Sequence, residues 1–331
     1  MSGESKNGSA AAGSGAGSGA AANNKNKTYR YLGDLTLEEG EAIFTKGRRF
    51  TGLSTPEEPI FVLLIGTPGS GKSTALARLP ELVGLNPDDA VQISLDSLVE
   101  SLEPFRAKTA EIATAMLTER GLALQNNLGE NVVSNIASKT SGPYLSFMKA
   151  KKNNRPGKVG KPLEQSLNEM RFALLEKALS EGKNIIYERT ISDASKDTLR
   201  EEVFARIRAS GKPYKVYVVY TKIDDPAVLR ERLRRRPLGM MQRNPPFFRG
   251  VPATLAEKFI GNHEEYFRRF LLPLEGEGVQ LVVVYWDGRP DLFIPARPAK
   301  AEGENASTSN KAGGRRKTRR QSKKKRMTRR K

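Results

Sequence analysis

The chain has 331 residues, 56 Lys and Arg against 37 Asp and Glu, a formal charge of +19, one histidine and no cysteine. Without cysteine there is no disulfide, no thiolate chemistry and no Cys-based zinc site. No run reaches the roughly 18 apolar residues of a membrane span, and the first thirty residues lack the apolar core of a secretory signal, so the reading is a soluble, intracellular protein with no membrane partner.

Residues 1–27, "MSGESKNGSAAAGSGAGSGAAANNKNK", are nearly all small or polar and cannot bury enough surface to offset chain entropy, so a disordered leader is expected there. Residues 28–297 suffice for one α/β domain with a sizeable core.

Five β-branched or aromatic-rich runs follow: 60–66, 90–96, 183–188, 214–221 and 279–286. Most lack strict apolar/polar alternation, and helical stretches separate them. That pattern predicts a parallel sheet of about five strands, buried on both faces and flanked by helices. Ligands in such sheets collect at the carboxyl ends of strands, which directs attention to Gly66, Asp96, Glu188 and Thr221.

The first run leads into Gly66-Thr67-Pro68-Gly69-Ser70-Gly71-Lys72-Ser73-Thr74. This matches G-x-x-x-x-G-K-[ST] between a strand and a helix. Glycines let successive amides converge on phosphate oxygens, Lys72 carries charge to the β and γ phosphates, and Ser73 offers a hydroxyl to Mg²⁺. ATP and Mg²⁺ are therefore the expected cofactors. A helix is expected from Lys72 to about Leu79, stopping near Pro80.

Asp96 ends the second run and is the natural base for an acceptor hydroxyl, with helix capping as the alternative. Residues 107–165 read as a helical insertion, and within it "SGPYLSFMKAKKNNRPGKVGKP" reads as a solvated loop. Glu188 and Thr190, in "IIYERT", close the third run, where they position substrate or the water shell of Mg²⁺, with simple capping as the alternative. The strand ends carry single acids, not the paired acids of motors and helicases. "YTKID" (220–224) echoes a guanine-reading element, yet no Asp-x-x-Gly follows the P-loop, and the segment reads as a strand end before a Pro-started helix.

Arginines crowd 230–252, where Pro, Gly and Met are expected to break the helix, before Pro237, into a lid; Arg236 and Arg249 are its candidates for closing over the phosphates. A last helix is expected over roughly 252–272. His263, in "GNHEEYFRRF", lacks the context of a Ser-His-Asp triad and reads as an ordinary surface or packing residue. Residues 298–331 hold 14 Lys and Arg against two Glu. A disordered basic tail is expected there, and 311–331 would bind nucleic acid without sequence choice, solubilise the chain or serve as a nuclear-import signal.

This arrangement resembles the zeta-toxin family of P-loop kinases over residues 58–275. The resemblance rests on "GTPGSGKST", Asp96 in "ISLDSL", Glu188 and Thr190 in "YERT", and Arg236 and Arg249 thirteen residues apart before "GVP". It implies ATP-dependent phosphorylation of a small-molecule hydroxyl with Asp96 as base, in bacterial members a 3′-hydroxyl of UDP-N-acetylglucosamine. Ser94 and Arg189 depart from the family pattern on the acceptor side. The competing readings are a polynucleotide 5′-hydroxyl kinase and a nucleotide-binding protein tethered to nucleic acid by its tail.

Overall fold

The computed structural model describes residues 35–125, 127–148, 167–191, 195, 197–286 and 289–297. The leader over 1–27 and the basic tail over 298–331 lie outside the described residues, as does 149–166.

Six strands form one sheet: β1 (Ile60–Gly66), β2 (Val91–Ile93), β3 (Ile185–Thr190), β4 (Lys215–Lys222), β5 (Gln280–Tyr285) and β6 (Leu292–Ile294), in the order β2-β3-β1-β4-β5-β6. The first five are parallel, and β6 adds an antiparallel edge against β5. The expected five-stranded parallel core is present. The short sixth strand follows Trp286 closely and carried no apolar run long enough to mark it.

Burial on both faces explains the continuous apolar runs. Along β1, Phe61, Leu63 and Ile65 face one core and Val62 and Leu64 the other. The same alternation holds for Tyr187 against Ile186 on β3 and for Val283 against Val282 on β5. At roughly 25 cal/mol per Å² of apolar surface, these two layers are the main stabilising term of the domain.

The helices are α1 (Leu37–Phe44), α2 (Lys72–Ala77), α3 (Leu79–Val83), α4 (Leu95–Ser101), α5 (Glu103–Glu119), α6 (Glu130–Met148), α7 (Leu167–Ser180), α8 (Ala205–Ala209), α9 (Pro226–Met241), α10 (Ala253–Gly261) and α11 (His263–Tyr266). Gly182 takes the left-handed turn that ends α7, at φ +66°. From Pro252 onward the chain is helical in successive α, π and 3₁₀ turns to Glu277.

Several expectations need correction. The strand expected over 90–96 covers only Val91–Ile93: the Ser94 hydroxyl accepts from the Ser97 amide and starts α4, so Asp96 stands in the first turn of a helix. The helix expected to stop near Pro80 ends at Ala77, but a new helix, not a break, follows: Pro80 sits in the first turn of α3, where a missing N–H costs little. Pro237 and Gly239 do not break α9, which runs on to Met241 because Pro237 and Leu238 are buried and tertiary packing outweighs propensity.

Between 107 and 148 the described residues are helical except over 120–125 and 127–129. α5 and α6 bury Ala113, Leu117, Val133, Ile136 and Ala137 together with Leu238 of α9 and Phe248. "SGPYLSFM", expected as loop, is the end of α6. The stretch 242–252, expected as the outer part of a lid, is anchored: Phe247 enters the main core, Phe248 enters the hairpin core, and a Cβ on Gly250 would stand 2.6 Å from the Ala137 Cβ.

Candidate active site

Register places the strand ends in one row. Gly66 lies opposite Thr190 of β3 on one side and Thr221 of β4 on the other. Only glycine fits at 66: a Cβ would meet the Thr221 hydroxyl at 2.1 Å and the Ser70 hydroxyl at 2.5 Å. Those two hydroxyls bond to each other at 2.6 Å, and Ser70 also donates to the Thr67 carbonyl at 2.8 Å. Ser70 thus ties the loop to β4 with its side chain, while its backbone N–H closes the turn onto the Thr67 carbonyl at 3.2 Å. Gly71 adopts φ +94°, and a Cβ there would lie 2.6 Å from the Trp286 ring.

Lys72 is buried, donates to the carbonyls of Gly66 and Thr67 at 3.1 Å each, and stands 3.9 Å from a Glu188 oxygen. Burial pushes its ammonium pKa down, while Glu188 and Asp96 act in the opposite direction. Pro68 and Gly69 form the turn, and Ser73 and Thr74 are exposed on the first turn of α2. The Thr67 hydroxyl is buried without a hydrogen-bond partner among the described residues. A P-loop in which Gly66 and Gly71 cannot carry a Cβ, with a buried lysine beside it, fits a nucleoside triphosphate. Ser73, exposed on the first turn of α2, is the P-loop side chain that could ligate Mg²⁺ with it. No cluster of three or more His, Cys, Asp or Glu side chains that could hold a metal ion exists among the described residues.

Opposite the P-loop α4 presents Asp96 and, one turn on, Glu100. The Arg249 guanidinium bridges both, one nitrogen to an Asp96 oxygen and another to Glu100. Arg236, on α9, reaches Glu100 at 4.0 Å. The Tyr144 hydroxyl, from α6, donates to the other Asp96 oxygen, and Arg249 lies over the Tyr144 ring at 5.1 Å. Burial alone would raise the Asp96 pKa, but Arg249, the Tyr144 hydroxyl and the Lys72 charge outweigh it, and the carboxyl is held below the ordinary aspartate range. Asp96 is therefore an anion at neutral pH, and its charge is felt at Lys72.

The structure brings Lys72, Asp96, Glu188, Arg236 and Arg249 into one electrostatically coupled cluster, with Thr190 nearby opposite Gly66. Sequence reasoning missed Glu100, Tyr144 and Trp286. Glu100 had a signal, since four residues after Asp96 on a helix is the same face. Trp286 had another, as the single tryptophan directly after a strand. Tyr144 had none, being brought 48 residues back to Asp96 by the helical hairpin alone.

Other charged groups are committed elsewhere. Asp224 of "YTKID" pairs with Arg289 at 2.5 Å and Lys222 at 3.4 Å, which agrees with a strand end and not a base reader. Arg189 pairs with Asp197 at 3.6 Å and Glu202 at 3.2 Å, on the packing side of β3. His263 is buried and shares a 3.0 Å hydrogen bond with Tyr220. No helix among the described residues is long and apolar enough to cross a membrane.

Comparison with known proteins agrees with this geometry at the level of family. A family described as "AAA domain" matches residues 61–240, from β1 through α9. A solved structure from the characterisation of the PezAT chromosomal toxin-antitoxin system of Streptococcus pneumoniae is 16% identical, covering 78% of this chain and 82% of that one at a TM-score of 0.42. No curated protein matches the chain. With the family match spanning more than half of its length and the P-loop formed at the end of β1, the chain belongs to the AAA-domain family of P-loop nucleotide-binding proteins.

Proposed function

We propose that the protein is an ATP-dependent kinase that transfers the γ-phosphoryl group to a hydroxyl of a small molecule. The observation that carries this reading is the ionised Asp96, held by Arg249 across a cleft from Lys72 and electrostatically coupled to it. A pure nucleotide-binding module has no use for that carboxylate or for two arginines beside it.

The roles follow from position. The backbone N–H groups of Gly69, Gly71, Lys72 and Ser73 donate to phosphate oxygens, and Lys72 exchanges its carbonyl contacts and the 3.9 Å Glu188 contact for the β and γ phosphates. Mg²⁺ supplies charge neutralisation between those phosphates when bound. Asp96 accepts a hydrogen bond from the acceptor hydroxyl, aims its oxygen, and receives its proton as the bond to phosphorus forms. A carboxylate of low pKa is a weak base, but phosphoryl transfer passes through a loose transition state in which orientation counts for more than early deprotonation. Arg236 and Arg249 stabilise charge on the transferring group. Glu188 and Thr190 border the acceptor side, and Arg232, 5.5 Å over Trp286 and 3.5 Å from the Gly69 carbonyl, makes a flat cationic and aromatic shelf for the base.

A nucleotide sugar such as UDP-N-acetylglucosamine is the first acceptor to try, on the resemblance to zeta-toxin kinases. Because Trp286 is the sole tryptophan and lies against Gly71, its intrinsic fluorescence reports nucleotide binding directly. Mg-ATP should change that emission saturably and should fail to do so in Lys72→Ala. Incubation with γ-labelled ATP and a panel of sugar nucleotides, nucleosides and 5′-hydroxyl oligonucleotides should label a small alcohol. Label on oligonucleotides alone, or ATP binding with no label on any alcohol, would overturn the proposal.

A further inference from the structure

The acceptor site contains a hydroxyl of its own. Tyr144 donates to the Asp96 oxygen that Arg249 leaves uncovered, so with Arg249 on Oδ2 and the phenol on Oδ1 each carboxylate oxygen already accepts a bond, and a further hydroxyl must compete for its place. An acceptor alcohol needs one of these oxygens, and so does a water molecule about to attack the triphosphate.

We propose that Tyr144 is a hydroxyl placeholder: its phenol occupies Asp96 until an acceptor alcohol displaces it, and so keeps that carboxylate from activating water. The inference rests on the kinase reading and adds the discrimination between alcohol and water that a kinase requires. In the side reaction, a water oxygen would bond to the γ-phosphorus as the β–γ bridging P–O bond breaks. Its proton would pass to Asp96 and on to solvent, and ADP and inorganic phosphate would leave.

The competition favours the alcohol. A hydrogen bond to a charged group changes an equilibrium by roughly tenfold to a hundredfold, and a water molecule brings nothing else with which to displace the phenol. An acceptor brings the binding energy of its remaining atoms, which can be spent on moving Tyr144 aside. The placement of the ring supports a positioning role. Tyr144 packs edge-on against Phe105 at 6.2 Å and under Arg249, so its oxygen can be removed while the packing stays. It also sits on α6, so the helical pair α5 and α6 is linked to the Asp96 carboxylate through this hydroxyl.

The test measures acceptor-free ATP hydrolysis in the full chain and in Tyr144→Phe, with Mg-ATP affinity read from Trp286 fluorescence in the same samples. Hydrolysis should rise about tenfold or more in Tyr144→Phe while ATP affinity stays within about twofold. A disturbed fold would lower hydrolysis, so a rise is not a structural side effect. Tyr144→Leu, which also removes the phenol, should rise as well and serves if Tyr144→Phe is not folded. Unchanged or slower hydrolysis with ATP still bound overturns the placeholder and leaves the kinase reading standing. Loss of ATP binding by the wild-type chain would instead sink the kinase reading itself.

Discussion

Arg249→Lys separates a catalytic arginine from a merely structural one. The guanidinium contacts Asp96 through one nitrogen and Glu100 through another, lies over Tyr144, and is well buried, with 17% of its side chain exposed. An ammonium keeps the charge but cannot span both carboxylates in that geometry. Losing one of two charge-assisted hydrogen bonds costs about 1.5–3 kcal/mol in whichever state depends on it. If the bridge only holds α4 to the 242–252 strap, that cost falls on folding, the melting temperature drops and turnover of the folded enzyme is little changed. If the guanidinium also meets charge on the transferring phosphoryl group, that cost falls on the transition state and kcat drops by about tenfold to a hundredfold while ATP affinity changes by less than about threefold. The assay is ADP release at saturating ATP and alcohol, beside a Trp286 fluorescence titration and a thermal melt. A kcat within twofold of wild type would remove Arg249 from the chemistry.

Two further outcomes follow from the same geometry. Gly71→Ala places a Cβ at φ +94° and 2.6 Å from the Trp286 ring, so the P-loop must distort; Mg-ATP affinity should fall at least tenfold, with altered Trp286 emission before any nucleotide is added. His263 is kept neutral by burial, its pKa pushed from 6.5 down to about 4. Between those values the unfolded chain binds a proton that the folded one refuses, so stability is full above pH 6.5 and declines as pH falls toward 4, by on the order of 3 kcal/mol. Denaturation midpoints for wild type and His263→Gln should converge in their pH dependence above 6.5 and diverge below it, and parallel curves would refute the assignment.

How much of this was legible in the sequence depended on how local the signal was. The β1 run, the P-loop and the strand ends were written in contiguous residues, and the registry of Gly66 with Thr190 and Thr221 follows from parallel strands ending together. Asp96 was found, although its element was not, because a serine cap three residues long in its effect turned a strand end into a helix start. Helix α9 passed through Pro237 and Gly239 because buried contacts, invisible to a local reading, outweighed their propensities. Arg249 could be named from spacing, but not its anchoring, which depends on Phe247 and Phe248 entering two different cores. Tyr144 illustrates the limit: nothing around residue 144 marks it, and only the folding of α5 and α6 against α9 carries its hydroxyl to Asp96.

The central claim is that an anionic Asp96 aims an alcohol at a phosphate held by Lys72. Its most direct test is transfer from γ-labelled ATP to that alcohol by wild type and by Asp96→Asn, with nucleotide binding followed in both. Near-isosteric Asn should leave ATP affinity nearly unchanged and slow transfer by about 10² to 10⁴. Transfer at the wild-type rate by Asp96→Asn would contradict the account.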